Sequence, residues 1–291
     1  MQRRKAQAFT LVEVVVMAAL VGLLAASLAA GVAGTRPNLR AIQCQNNLRR
    51  MTQAWTIYAS DYADKVPNNF DIPGTENAIN SGRFDNWVNN VMTWGAGGAV
   101  DDRSNTNQDW VRKGLLGKYV DVDAYVCPED RYLSPPQLRA GWTRRVRSIS
   151  MNSVFGLFST SPSDPTAFGK NWGDQTYRQY LKRGQVPKPA KTWLLVDEQP
   201  DSINEGYFLN ATAAATWGDI PAAFHNGGAG FSFADGHAEI RKWLSLTSRY
   251  PVNYFYPTTR LFDPPGRVDF AWYLEHTGYV NAQTGVPAFN Y

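Results

Sequence analysis

The chain has 291 residues, a net charge of +4, ten Trp and fourteen each of Tyr and Phe. Its basic residues lie in short, scattered clusters (Arg49-Arg50, Arg144-Arg145-Val146-Arg147, Lys182-Arg183), which excludes the dense cationic stripe of a nucleic-acid binder. About 255 residues follow an apolar N-terminal run, enough for one large domain with a substantial aromatic core.

Met1 to Thr35 read as a short cationic head (Arg3, Arg4, Lys5) followed by an apolar run with a single charge, Glu13. From Val14 to Thr35 about 22 residues at about 1.5 Å rise would give roughly 33 Å, so the run is expected to be a transmembrane helix. It is longer than the apolar core of a cleavable secretory signal and lacks a clear small-residue break. The basic residues place the head in the cytoplasm and the rest outside it. A carboxylate at membrane depth costs on the order of 3 kcal/mol unless paired, so Glu13 needs a partner. A cut between Ala8 and Phe9 would supply one, because the new α-amino group of Phe9 lies about one helical turn away.

The residues Ala8-Phe9-Thr10-Leu11-Val12-Glu13 resemble the processing site of type IV pilins and type II secretion pseudopilins, with Ala8 where that family has Gly. The resemblance implies cleavage after Ala8 by a prepilin peptidase and N-methylation of Phe9. It further implies a filament whose core is Phe9 to Gly34, with Glu13 meeting a neighbour's Phe9 amine. The fold it implies is α+β and pilin-like: a long N-terminal helix, its first half transmembrane, packed on an antiparallel β-sheet. The layout expected is a leader at 1–8, a transmembrane and assembly helix at 9–35, the periplasmic half of the helix at 36–66, and a globular β-rich domain at 67–291. The expected partners are the peptidase, other pilin-like subunits and the inner membrane, with the C-terminal domain extracytoplasmic and no nucleic acid.

Beyond Pro37, Ala41, Cys44, Leu48, Met51, Trp55, Tyr58 and Tyr62 recur at steps of three and four, one face of a helix that would pack on the domain. The helix should end at Asp64-Lys65-Val66-Pro67. From Asn68 to Val111 the Asn, Gly and Asp content predicts loops held by side-chain hydrogen bonds. There Asp101, Asp102, Asn105, Asn107 and Asp109 offer oxygen donors for calcium, without the spacing of an EF-hand; no other cofactor is expected. Val111 to Tyr119 reads as a short helix.

Cys44 and Cys127 are the only cysteines. As residues they fit either a disulfide or two buried free thiols, and the lack of a second Cys or His at ligand spacing argues against zinc. Cys44 with Asn47 and Leu48, and Cys127-Pro128, also resemble a subfamily of pilin-like proteins of planctomycete and verrucomicrobial type, which favours the disulfide. His225, followed nine residues later by Asp235-Gly236, resembles the C-terminal signature of that subfamily.

Ile149, Met151 and Phe155 are spaced as one face of a strand, and Trp193 to Asp197 is a buried strand. Phe231 to Ile240 reads as a hairpin, turning at Ala234 to His237 with Gly236 at positive φ. With that segment extended, His225 and Asp235 would be up to roughly 30 Å apart, so His225 is expected to anchor by hydrogen bonding and Asp235-Gly236 to make a turn. The last forty or so residues, rich in Pro and aromatics, are expected to wrap as loops and short strands. No catalytic residue is assigned and the chain is expected not to be an enzyme. Two rival readings are a carbohydrate-binding module using Trp94, Trp110 and Trp172, and a metal-dependent enzyme using Asp197, Glu198 and His237.

Overall fold

The computed structural model describes residues 10–174 and 176–278, without the side chains of 25–38 and 101. The chain divides into two compact units, Met1–Arg40 and Ala41–Tyr291. Helix α1 (Leu11–Asp61) contributes to both.

In the first unit, Thr10 and Glu13 form a reciprocal cap. The Thr10 amide and hydroxyl donate to the Glu13 carboxylate at 2.8 and 2.9 Å, and the Glu13 amide donates back to the hydroxyl at 3.3 Å. Residues 11–24 are apolar apart from Glu13, and each of them is exposed.

In the second unit the helical stripe predicted from spacing is the stripe that is buried. Cys44, Leu48, Met51 and Trp55 are all 0% exposed, while Tyr62 at the far end is 42% exposed. Each large apolar side chain so buried contributes roughly 1.5–3 kcal/mol. The helix ends where Ala63 and Asp64 turn left-handed, with φ of 52 and 67°.

The sheet beneath it is built from β1 (Ile149–Asn152), β2 (Trp193–Asp197), β3 (Tyr207–Phe208), β4 (Gly228–Phe233) and β5 (Ala238–Lys242). Their spatial order is β3-β1-β2-β4-β5. β1 with β2, β2 with β4, and β4 with β5 are antiparallel, whereas β3 runs parallel to β1. Register assigns the faces. Ile149 pairs with Asp197, Met151 with Leu195 and Leu195 with Ser232; this row faces α1, whose Thr52 hydroxyl donates to the Ser232 hydroxyl at 2.8 Å. The opposite face carries Phe231, against which Trp272 packs at 5.1 Å between ring centroids. Trp272 belongs to a C-terminal helix (Pro264–Thr277).

Three sequence expectations are corrected. Among the described residues no helix is long and apolar enough to cross a membrane, which overturns the expected transmembrane first half of the N-terminal helix. The sheet is mixed rather than antiparallel, because β3 follows a loop that returns it alongside β1. Of the C-terminal segment expected as loops and short strands, 251–263 is irregular, but Pro264–Thr277 is a helix, started by the Asp263 side chain accepting from the Gly266 amide at 2.8 Å and ended by Gly278 at φ 96°. The two prolines occupy the first turn, where a missing N–H costs nothing.

The polar stretch from Asn68 is held as expected by buried amides: Asn69 donates to the Met151 and Asn152 carbonyls and accepts from the Trp87 indole. It also contains three short helices, Ile72–Asn80, Ala99–Thr106 and Gln108–Arg112.

Candidate functional site

Four elements of the second unit bring Cys44, Cys127, Asp197 and His225 to one buried point between α1 and the sheet. Cys44 lies on the buried stripe of α1. Cys127 follows a 3-10 turn (Val122–Tyr125), and the Asn47 side chain, nearly one helical turn beyond Cys44, donates to the Val126 carbonyl at 3.1 Å and so ties that segment to the helix. Asp197 ends β2 on the α1 face. His225 is delivered by a sharp turn in which Asn226 and Gly227 have φ of 55 and 81°. The turn closes with the His225 amide on the Gly228 carbonyl at 3.1 Å, and Lys242 of β5 donates to the His225 carbonyl.

The geometry is convergent. Cys44 Sγ donates to Asp197 Oδ2 at 3.0 Å, His225 Nε2 lies 3.2 Å from the same oxygen, and Cys127 Sγ lies 3.3 Å from His225 Nε2. The four ligand-type atoms are all within 4.8 Å of one another. Cys44, Cys127 and Asp197 are 0% exposed and His225 is 6% exposed. The Gly230 amide of β4 donates to Asp197 Oδ2 at 3.0 Å, while Asp197 Oδ1 and His225 Nδ1 have no partner.

Electrostatics reflect the crowding. Its contact with Cys127, burial and the Asp197 charge together push the Cys44 thiol well above its ordinary value. Burial opposes the charge on His225, but the hydrogen bonds to Asp197 and Cys127 outweigh it, and the imidazole is raised to about 10.

Gly230 is required by this packing. A Cβ there would stand 2.8 Å from Asp197 Oδ2, 2.8 Å from Leu48 Cδ1 and 3.1 Å from Cys44 Sγ. Gly230→Ala is therefore expected to destabilise the fold by about 1–3 kcal/mol, read as a lower urea midpoint at unchanged slope. An unchanged midpoint would show that the helix and strand can part freely.

Such a cluster has three chemistries open to it: a thiol nucleophile with a base, a disulfide, or metal ligation. The first requires sulfur on one imidazole nitrogen and carboxylate on the other. Here both approach Nε2 and leave Nδ1 empty, and burial closes the cluster to a substrate. Both cysteines are free thiols, so of the two states left open by the sequence the structure has the reduced one. No family model matches the chain, and neither does any curated protein or solved structure.

The other residues singled out from the sequence are dispersed. Asp235 and His237 are hydrogen-bonded to each other at 2.7 Å at the β4–β5 turn, where Gly236 has φ 105°. The pairing of Trp193 with Phe233 puts that turn at the opposite end of β2 from Asp197, so His225 and Asp235 share no site. Glu198 faces the other side of the sheet, on the Ser150 and Ser202 hydroxyls, so Asp197, Glu198 and His237 do not meet. Trp94 donates to Asp201 at 2.9 Å and is covered by the Arg145 guanidinium; Trp172 is 55% exposed but lies on Phe158; Trp110 is half-buried. They form no shared platform. Of the calcium candidates, Asp102 accepts from the Gly97 amide, Asn105 from the Thr93 amide and Asn107 from the Asp109 amide, and Asp109 pairs with Arg112; the side chain of Asp101 is not described. Ala8 and Phe9 lie outside the described residues.

The sequence offered Cys44, Cys127, Asp197 and His225 one at a time. What was missed was their meeting, and the only local signal for it was Asn226-Gly227, a pair suited to left-handed backbone.

Proposed function

We propose that the chain is a structural subunit, a pseudopilin or minor pilin, of a filament of the type IV pilus or type II secretion kind. In this reading a prepilin peptidase cuts after Ala8, Phe9 is N-methylated, and the apolar N-terminal segments of neighbouring subunits pack together. The globular unit, Ala41–Tyr291, is carried outside the cytoplasm.

The observation that carries the reading is the segment 11–24, a helix whose side chains other than Glu13 are apolar and which is exposed throughout. A helix of that composition is stable only when covered. The occupant that fits is the same segment of another copy, since the cut would leave a cationic Phe9 amine beside the one carboxylate, Glu13. The Thr10–Glu13 cap holds that carboxylate at the helix start.

Intact-mass and N-terminal analysis of the chain from its native source tests the processing step. A mature chain beginning at methylated Phe9 is the expected result, and retention of Met1 to Ala8 would refute it. Glu13→Ala is expected to leave cleavage in place while reducing recovery in sheared filament fractions at least about tenfold, the equivalent of losing one ion pair of about 1.4 kcal/mol. Undiminished recovery would remove Glu13 from the assembly contact.

A further inference from the structure

We propose that Cys44, Cys127, Asp197 and His225 bind one zinc ion, which fastens helix α1 to the sheet. Four-coordinate zinc with Zn–S of about 2.3 Å and Zn–N or Zn–O of about 2.0 Å has ligand-to-ligand edges of roughly 3.3–3.8 Å. The donor atoms stand at 3.0 Å (Sγ to Oδ2), 3.2 Å (Nε2 to Oδ2) and 3.3 Å (Sγ to Nε2). These three edges lie at or a few tenths of an ångström inside the tetrahedral range, and all four donor atoms stand within 4.8 Å of one another, so small side-chain adjustments about the common centre admit the ion.

The direction of the donors supports this over the other chemistries. Nε2 alone faces both a sulfur and the carboxylate, which is how an imidazole presents a lone pair to a common centre. A disulfide would account for the two sulfurs but would remove the Cys44 S–H that donates to Asp197 Oδ2, leaving the convergence of carboxylate and imidazole on the sulfurs without a role. Two thiolates, an imidazole and a carboxylate suit zinc; calcium and magnesium require oxygen donors. The site has no open position and no solvent access, the mark of a structural rather than a catalytic zinc. Gly230 belongs to it: its amide holds Asp197 Oδ2, and its missing Cβ leaves room for Cys44 Sγ. Because the ligands come from α1, the segment after the 3-10 turn, β2 and the turn before β4, one ion joins four elements that are far apart in sequence. The proposal concerns the globular unit and stands independently of filament assembly.

The test uses the full chain, purified under reducing conditions without chelator and assayed for metal by mass spectrometry. About one zinc per chain is expected, released together with two titratable thiols on unfolding. Exchange with Co2+ should give a tetrahedral ligand-field spectrum and a thiolate-to-cobalt charge-transfer band. Zinc affinity should fall by more than about 100-fold in Cys44→Ser and in His225→Ala, beyond what loss of a supporting hydrogen bond costs. Should those variants fail to fold, the cobalt spectrum of the unaltered chain decides the matter. A reduced chain that takes up no stoichiometric metal, or a chain lighter by two hydrogens that carries a Cys44–Cys127 disulfide and regains no zinc site on reduction, overturns the proposal.

Discussion

Trp193→Ala is expected to lower the unfolding free energy by about 3–5 kcal/mol, the range for deleting a buried large aromatic side chain. Trp193 is 0% exposed. Its ring meets Phe208, Phe231 and Tyr273 at 5.6, 5.7 and 5.8 Å, and its indole donates to the Thr277 hydroxyl at 3.0 Å. Removing it therefore opens a cavity between β2 and the Pro264–Thr277 helix, lined by Phe208, Phe231 and Tyr273. Against a typical stability of about 5–15 kcal/mol, that is a fifth or more of the total. Trp172, at 55% exposed, stacks on Phe158, and Trp172→Ala is expected to stay under about 1 kcal/mol. Urea denaturation of both variants checks the contrast; equal losses would mean that Trp193 is not at the centre of this packing.

Stability is also expected to fall as pH rises from about 5 to about 8. Burial is the chief cause, with the nearby Asp219 charge adding to it: Glu205 is raised to about 8 despite the opposing Arg147, and burial raises Asp219 itself to about 7. Asp71 acts on Glu205 in the same upward direction. Glu205 is 9% exposed and its Oε2 has no partner. Between an ordinary carboxylate value and these raised ones, the native state keeps protons that the unfolded chain has released. The derivative of stability with pH is then negative, at most about 1.4 kcal/mol per pH unit for each carboxyl. The stabilisation is complete below about pH 4 and gone above about pH 8. Glu205→Gln keeps the side chain neutral at every pH and should lessen the fall between pH 7 and 8, leaving the part that His225, raised to about 10, contributes there. A wild-type midpoint constant from pH 5 to 8 would refute the assignment.

How much of this was legible depended on the range over which each feature is encoded. The buried face of α1 from Cys44 to Tyr58 could be read because a helix repeats locally, and the same holds for the β2 run and for the hairpin closed at Gly236. The Pro264–Thr277 helix carried readable signals too, Asp263 before Pro264-Pro265 and Gly278 after Thr277. It reads as loops because the segment, rich in Pro and aromatics, has no clear periodicity, although its two prolines suit a first helical turn. The loop expectation for Asn68 to Val111 agrees with the side-chain hydrogen bonds that hold the segment but leaves out three short helices, which side-chain caps such as Asp71 and Asn107 start.

The sequence by itself determined the apolar N-terminal segment with its single charge at Glu13, the helical stripe, the β1 and β2 strands and the β4–β5 hairpin, since each follows from spacing within a few residues. Only the tertiary structure decided the parallel pairing of β3, the separation of Asp197 from Glu198 across the sheet, and the meeting of Cys44, Cys127, Asp197 and His225. Those four residues have no common local period. They converge because sheet register and one left-handed turn at Asn226-Gly227 fold His225 back, where an extended chain would have carried it away.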